Sequence, residues 1–450
     1  MYLCFLLSSV SIISCKPGKE KSSSTAYEKM DIVADNYQYP ADSTTINNWI
    51  SSNNFNAIHK HGWYIWQHIT APVENNKLRY QTWSSPQQIL AKLNAPKKLN
   101  TVQSDVLFRK PSQFSHAKAK QATFFDDTNI VEVVAYNKAA EDYAIKNKIF
   151  YLSSLKKFEK EGMTSIPEFP EKAITIKPVY KIITQNKLTN GIYTRSSWNG
   201  PKYQAEGYPE KDWGSCIYVN TLENKSNPNG FIDATCSNRT NDNTFYLNDF
   251  IHFTITQTQA DSYNSEISDS KYKATVGDIA LLVGMHLTTK ETKRWTWQTY
   301  WWSATPYNPY TPSSNEIASA RQNIALYKAA NHYAMASAYS MLAPVQPYTG
   351  GTKEGEPIIA FNPYLESGFG NSVFTGSASY VTHNGNTLKT DLGVLTNCMS
   401  CHIASAVNTT TQATPSYFGD TYISYKDTIF KNKIMLDFAW SVQANIDDSK

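Results

Sequence analysis

The chain has 450 residues and a formal net charge of +4, from 42 Lys and Arg against 38 Asp and Glu. Charged residues make up only 18 % while aromatic residues reach 13 %, with 29 Tyr and 11 Trp. Such a chain can bury a large core, which excludes a disordered protein, and the absence of a basic stripe argues against nucleic acid as a partner.

The N-terminus reads MYLCFLLSSVSIISCKPGKEKSSSTAYEK. Residues 2–13 are an apolar run too short to span a bilayer, which needs about 20 residues, and they fit the core of an export signal. The run ends in Ile12-Ile13-Ser14-Cys15, which resembles the lipobox of bacterial lipoproteins, although the usual basic segment ahead of it is missing. The resemblance implies cleavage before Cys15 and acylation of that cysteine. Residues 1–14 are then the signal and 15–27 a flexible Lys/Ser-rich tether. The implied location is the periplasm, the outer membrane or the cell surface, held to the membrane by lipid. No later run is apolar and long enough to be a membrane helix.

A first helix is expected within residues 28–75, where Ile58, Trp63, Trp66 and Ile69 fall near one stripe ended by Pro72. His59, His61 and His68 cluster in sequence, but only His61 and His68 share a helical face. A second helix is expected from Pro86 to Leu93, with Ser85 as its cap. Residues 130–160 read as mostly helical after NIVEVVAYN, and SLKKFEKEG as a solvated face. From EKAITIKPVYKIIT onward the chain turns β-rich, with strands at TFYLNDFIHFTITQ and VGDIALLVGMHLTT. RWTWQTYWWS follows the polar turn TKETK, which predicts a hairpin. In that strand Trp295, Trp297, Thr299 and Trp301 share one face, and Thr296, Gln298, Tyr300 and Trp302 the other. The segment SSNEIASARQNIALYKAANHYAMASAYSM reads as a long helix capped at Ser314 or Asn315. The closing DTIFKNKIMLDFAWSVQ is helix or strand on the core.

Six cysteines remain to be placed. Cys4 falls in the signal and Cys15 at the lipobox. Cys216 and Cys236 flank an Asn/Gly-rich loop. In an exported chain they suit a disulfide that would stabilise the fold by roughly 3 kcal/mol; the alternative is two separate thiols. Cys398 and Cys401 stand in NCMSCH with His402. Two thiols on neighbouring turns can add across two vinyl groups, and an imidazole next to the second reaches the iron from the same side. Cys-x-x-Cys-His is therefore the c-type haem signature. A zinc knuckle would need a second ligand pair nearby, and a dithiol catalyst a strand before the motif and a helix opening on its first Cys. Neither pattern is present.

With His402 as the proximal ligand, the other face of the iron has several candidates: Met285, His286, His332, His383 and Met435. Only 48 residues follow His402, with Met435 their single Met. That is too little for a self-contained all-α small cytochrome c. The expected fold is α+β, a helical N-terminal part packed on a largely antiparallel β-rich middle, with a haem c segment near the C-terminus.

Several segments in chain order carry a resemblance: GWYIWQHITAP, YQTWSS, YNKAAEDYAIKNKIF, EFPEKAITIKPVYK, LVGMHLTTKETKRWTWQTYWW, FNPYLES, NCMSCH and LDFAWS. Together, over roughly residues 60–445, the chain is similar to a group of large bacterial monohaem c-type cytochrome proteins. The resemblance implies one covalently attached haem c. It also implies a single mixed α/β domain over residues 28–450 (sub-parts 28–165, 166–345 and 346–450) and a distinctive position for His286, which ranks above Met435 as distal or pocket residue. The expected role is electron transfer with a redox partner protein or a small-molecule donor or acceptor. Two rivals remain: a haem enzyme of peroxidase or oxygenase type with an open iron, and a surface glycan-binding lipoprotein using the Trp-rich hairpin, with structural haem. No Gly-x-Ser-x-Gly or His-Glu-x-x-His motif marks another chemistry.

Overall fold

A central sheet organises the chain, and its strands follow from runs of β-branched and aromatic residues that are buried on both faces. The computed structural model describes residues 39–73, 77–94, 106–111, 130–201, 208–267, 270–344, 355–369, 380–383, 386–389, 397–415 and 422–450. The export signal, Cys15 and the tether lie outside these residues. Helices α1 (Ser43–Ser51), α2 (Phe55–Thr70) and α3 (Pro86–Asn94) come first. Strands β1 (Ile130–Glu132) and β2 (Ala135–Tyr136) lead into α4 (Lys138–Asn147) and α5 (Leu152–Lys160). Then come β3 (Ile174–Ile183), β4 (Ile192–Ser196), β5 (Cys216–Asn220), β6 (Thr244–Tyr246), β7 (His252–Thr254) and α6 (Gln257–Glu266). The hairpin β8 (Ile279–Thr289) and β9 (Thr296–Trp302) is followed by α7 (Asn315–Ser319) and β10 (Tyr333–Ala338).

The main sheet runs β1-β3-β8-β9-β10, with β2 added on β3 and β7 on β8. Every pairing in it is antiparallel. The fold is mixed α+β. Because side chains alternate along a strand, the sheet has two apolar faces. Met285, Leu287, Tyr300, Trp302, Tyr333 and Met335 pack on one side with Trp63 and Trp66 of α2. There Trp66 stacks on Tyr300 at 4.3 Å between ring centroids, and the Trp63 and Trp66 indole N–H groups donate to the carbonyls of Ile317 and Ala330. The other side carries Val179, Trp297, Trp301 and the three alanines of β10, covered by the C-terminal quarter of the chain. Each large side chain fully buried this way contributes about 1.5–3 kcal/mol.

Two expectations change. The first helix is two helices, broken at Asn53 with φ 53°; Asn54 then caps α2 by accepting from the Ala57 amide at 3.2 Å. The long helix expected over the stretch from Ser313 to Met341 is not formed. The stretch instead holds α7, capped by Ser314, a 3-10 turn at Lys328–His332 and a strand, Tyr333–Ala338. Its Ala334, Ala336 and Ala338 stand opposite Trp301, Thr299 and Trp297 of β9. Small side chains there leave room for indoles to lie across the sheet, and that packing overrides the helix preference of alanine. The Ser85 cap is present: its hydroxyl accepts from the Gln88 amide and the Gln88 side chain from the Ser85 amide.

His61 and His68, on one face of α2, have separate partners. His68 stacks on Tyr39, whereas His61 contacts the Tyr339 hydroxyl at 2.5 Å and Glu291 at 3.2 Å. Burial alone would raise the Glu291 carboxyl. His61, the Thr289 hydroxyl and the Ala41 amide outweigh it and hold the group below its ordinary value of 4.5. A carboxyl depressed on folding stabilises the fold above its unfolded pKa, and that contribution is lost as pH falls through the folded one. The melting temperature should therefore fall more steeply between about pH 5 and 3 in the native chain than in Glu291→Gln. Parallel slopes in thermal melts would dismiss the Glu291 contribution.

Candidate haem-binding cleft

The Cys-x-x-Cys-His motif forms a five-residue helix, α9 (Cys398–His402), after the Asn397 cap, whose side chain accepts from the Ser400 amide at 3.0 Å. The same Asn397 donates to the Ile358 and Met341 carbonyls, which ties the turn to the body of the protein. Spacings of three and four residues share one helical face. Cys398, Cys401 and His402 accordingly all line a single open cleft, whose empty volume, open mouth included, is ≈ 1360 Å³. Its apolar lining includes Val134, Trp297, Phe438, Ala439 and Trp440.

His402 is held by its neighbours. Its Nδ1 lies 2.7 Å from the Phe438 carbonyl. A carbonyl can only accept, so Nδ1 carries the proton and a neutral ring has its lone pair on Nε2. The Trp297 ring leans on the imidazole at 4.4 Å between centroids, and the Trp440 indole donates to the Cys401 carbonyl at 3.3 Å. Phe438 (φ 67°) and Asp437 (φ 46°) both adopt left-handed backbone, which is costly for side chains of this size. A buried contact set holds them. Asp437 pairs with Lys290 at 2.7 Å, accepts from the Phe169 amide at 2.9 Å and accepts from the Trp295 indole at 3.3 Å. Burial pushes the Asp437 carboxyl up, while Lys290 and these donors pull it back.

The opposite wall comes from β8 and β3. His286 faces the cleft beside Lys177, its register partner on β3. His286 Nε2 is 2.7 Å from Glu366 Oε1, and Lys177 pairs with Glu132 at 2.7 Å. Glu366 lies on the short helix α8 (Pro363–Glu366), capped by Asn362. Its second oxygen accepts from the Asn362 amide at 2.5 Å. Asn362 in turn donates to Thr299 Oγ1 and the Tyr300 carbonyl, each at 2.9 Å. This seat exists because residue 284 is glycine: a Cβ there would stand 2.8 Å from both Asn362 Oδ1 and Nδ2.

The Cys398 thiol is poorly set for dithiol chemistry. Burial first, and then the Glu366 carboxylate, push the Cys398 thiol far above its ordinary range, whereas a redox-active thiol needs a lowered pKa. Among the described residues no group of three or more His, Cys, Asp or Glu side chains is placed to hold a metal ion.

Among the candidate distal residues whose side chains are described, only His286 lines the cleft. Met285, one residue earlier, points to the other face of the sheet and is fully buried with Tyr300 and Met335. His332 is on that side too, 3.3 Å from Asp249 and parallel to the Trp302 ring. Met435 pairs with Ala406 in a two-residue ladder and does not line the cleft. His383 ends a strand, Tyr380–His383, and its side chain lies outside the described residues. The Cys216 and Cys236 sulfurs are at bonding distance, 2.36 Å, and neither lines the cleft. Sequence reading missed Glu366, Lys177 and the Lys290–Asp437 pair. Asn-Pro followed by an acid at the helix end, in FNPYLES, is the one local sign that could have pointed to Glu366. No helix among the described residues is long and apolar enough to cross a membrane.

His286 of β8, Trp297 of β9, Glu366 of α8, the motif and residues 438–441 thus meet around one cleft. Comparison of the chain with protein-family models, curated proteins and solved structures finds no match.

Proposed function

We propose that the protein is an exported, lipid-anchored c-type cytochrome with one haem c, linked through Cys398 and Cys401 and ligated by His402. Its role in this reading is electron transfer with a redox partner protein or a small-molecule donor or acceptor. The observation that carries the haem is the shared cleft: both cysteines and a histidine whose Nδ1 is held by a carbonyl line one open, largely apolar cleft. A thioether has no proton to lose, so the burial that disfavours a Cys398 thiolate costs the linked form nothing. Bound there, the haem would supply a one-electron couple. The apolar walls would keep water from it, and Phe438 would fix the His402 ring.

The partner of His402 Nδ1 favours electron transfer over a haem enzyme. Hydrogen bonding at this nitrogen raises the basicity of the ligating one, and a carboxylate does so more strongly than a neutral carbonyl. Here the partner is the Phe438 carbonyl, while the adjacent carboxylate of Asp437 is engaged by Lys290. The peroxidase or oxygenase reading rests on one feature, the His286–Glu366 pair, which could hold and move a proton at the cleft.

Co-expression with a haem c attachment system should yield a red protein whose haem survives denaturing electrophoresis. Cys398→Ala with Cys401→Ala should lose that haem completely; a colourless native chain would end the reading. Absorption spectra with and without carbon monoxide then separate the two roles. A six-coordinate low-spin haem indifferent to carbon monoxide fits electron transfer, and a ferrous form that binds it readily fits the enzyme. His286→Ala should alter the low-spin spectrum if His286 is the distal ligand, and an unchanged spectrum removes it from that role.

A further inference from the structure

We infer that the buried Lys290–Asp437 pair is a positioning device for His402, which it controls through the Phe438 carbonyl. This rests on the haem reading above and adds residues that the motif does not contain.

Phe438 reaches His402 only because the chain from Asp437 to Phe438 runs through two consecutive left-handed residues, at φ 46° and 67°. Neither residue is glycine, so the conformation persists only if its surroundings over-determine it. Those surroundings converge on one carboxylate. Lys290 reaches Asp437 Oδ1 from the β8–β9 turn at 2.7 Å, and Trp295 donates to the same oxygen from the start of β9 at 3.3 Å. The Phe169 amide holds Oδ2 at 2.9 Å. The Lys290 ammonium also sits 5.5 Å from the centre of the Trp295 ring.

Two consequences follow for His402. The left-handed turn aims the carbonyl at Nδ1, which fixes the tautomer. The ion pair also engages the Asp437 carboxylate elsewhere, so the acceptor at His402 Nδ1 is the neutral Phe438 carbonyl. A hydrogen bond from Nδ1 makes the ligating nitrogen a better donor and favours the oxidised iron. Loosening the carbonyl should therefore move the reduction potential upward.

The test compares holoprotein variants. Asp437→Asn keeps the size of the side chain and removes the ion pair. Its expected result is covalent haem at native yield with a more positive midpoint potential and a weakened iron–histidine vibration in resonance Raman. Lys290→Arg, which preserves the pair, should restore native values. If Asp437→Asn does not accumulate, Trp295→Phe removes one donor and keeps an aromatic ring; a smaller shift of the same sign is expected. Native potential and vibration in whichever variant accumulates, even with a lowered melting temperature, would reduce the pair to a structural role and overturn the inference. A native chain without covalent haem would instead overturn the haem reading on which it rests.

Discussion

Replacing Lys290 with Met should destabilise the fold by roughly 3–5 kcal/mol at neutral pH, the usual cost of stranding one member of a buried ion pair. Both side chains are about 95 % buried, so water cannot take over the role of the lost ammonium. The Trp295 indole and the Phe169 amide would still donate to Asp437, but neither carries charge. The size of the loss should depend on pH. Burial already raises the Asp437 carboxyl on folding, and Lys290 is the main influence pulling it down. Without Lys290 the folded pKa rises further above the unfolded value. A group raised on folding contributes fully below its unfolded pKa, and that contribution is lost as pH rises through the folded one. The deficit of Lys290→Met relative to the native chain should thus be largest near neutrality and shrink toward about pH 4. Urea midpoints at several pH values check this, with an unchanged slope showing that compactness is preserved. A deficit that stays constant with pH would mean that Asp437 is not the group being stranded.

Gly284→Ala should cost roughly 2–4 kcal/mol, although it adds a single methyl group. The new carbon would press into the amide of Asn362, a side chain that cannot move freely. Asn362 donates to Thr299 and Tyr300, and its Oδ1 accepts from the Tyr364 amide at 3.1 Å. Displacing it breaks fully buried hydrogen bonds and shifts α8, and with it the Glu366 carboxylate that meets His286. On the haem reading proposed above, the variant should also show an altered haem environment in its spectrum, because His286 and Glu366 both line the cleft. Asn362→Ala in the Gly284→Ala background removes the clash, so the second substitution should cost less there than in the native chain. Strict additivity in that cycle would refute the proposed contact.

Much of the scaffold could be read from periodicity. The aromatic alternation of β9, the stripe of α2 and the cap of α3 follow from local rules, and the structure has them where those rules place them. The β10 strand did not yield to the same reading. YAMASA satisfies helix propensity and strand alternation equally, and its partner across the sheet, the indole-bearing face of β9, decides between them. The distal candidates show the same limit at single-residue scale. Met285 and His286 are neighbours in sequence, so they must face opposite sides of a strand, but which side carries the motif depends on where a segment more than a hundred residues later packs. Glu366 and the Lys290–Asp437 pair are long-range meetings, the last across 147 positions. No local pattern encodes such contacts.

The Phe438 carbonyl has a consequence for the order in which the molecule is made. The Cys-x-x-Cys-His turn emerges from the ribosome before the residues that orient its histidine, and a chain crossing a membrane N-terminus first delivers them in the same order. For that interval both cysteines and the imidazole are present while the ring still rotates. On the haem reading proposed above, attachment chemistry would meet an accessible motif, and the later arrival of residues 437–440 would latch the histidine in place. On that reading a nick between residues 402 and 437 followed by loss of the tail would leave the covalent links intact and free the histidine.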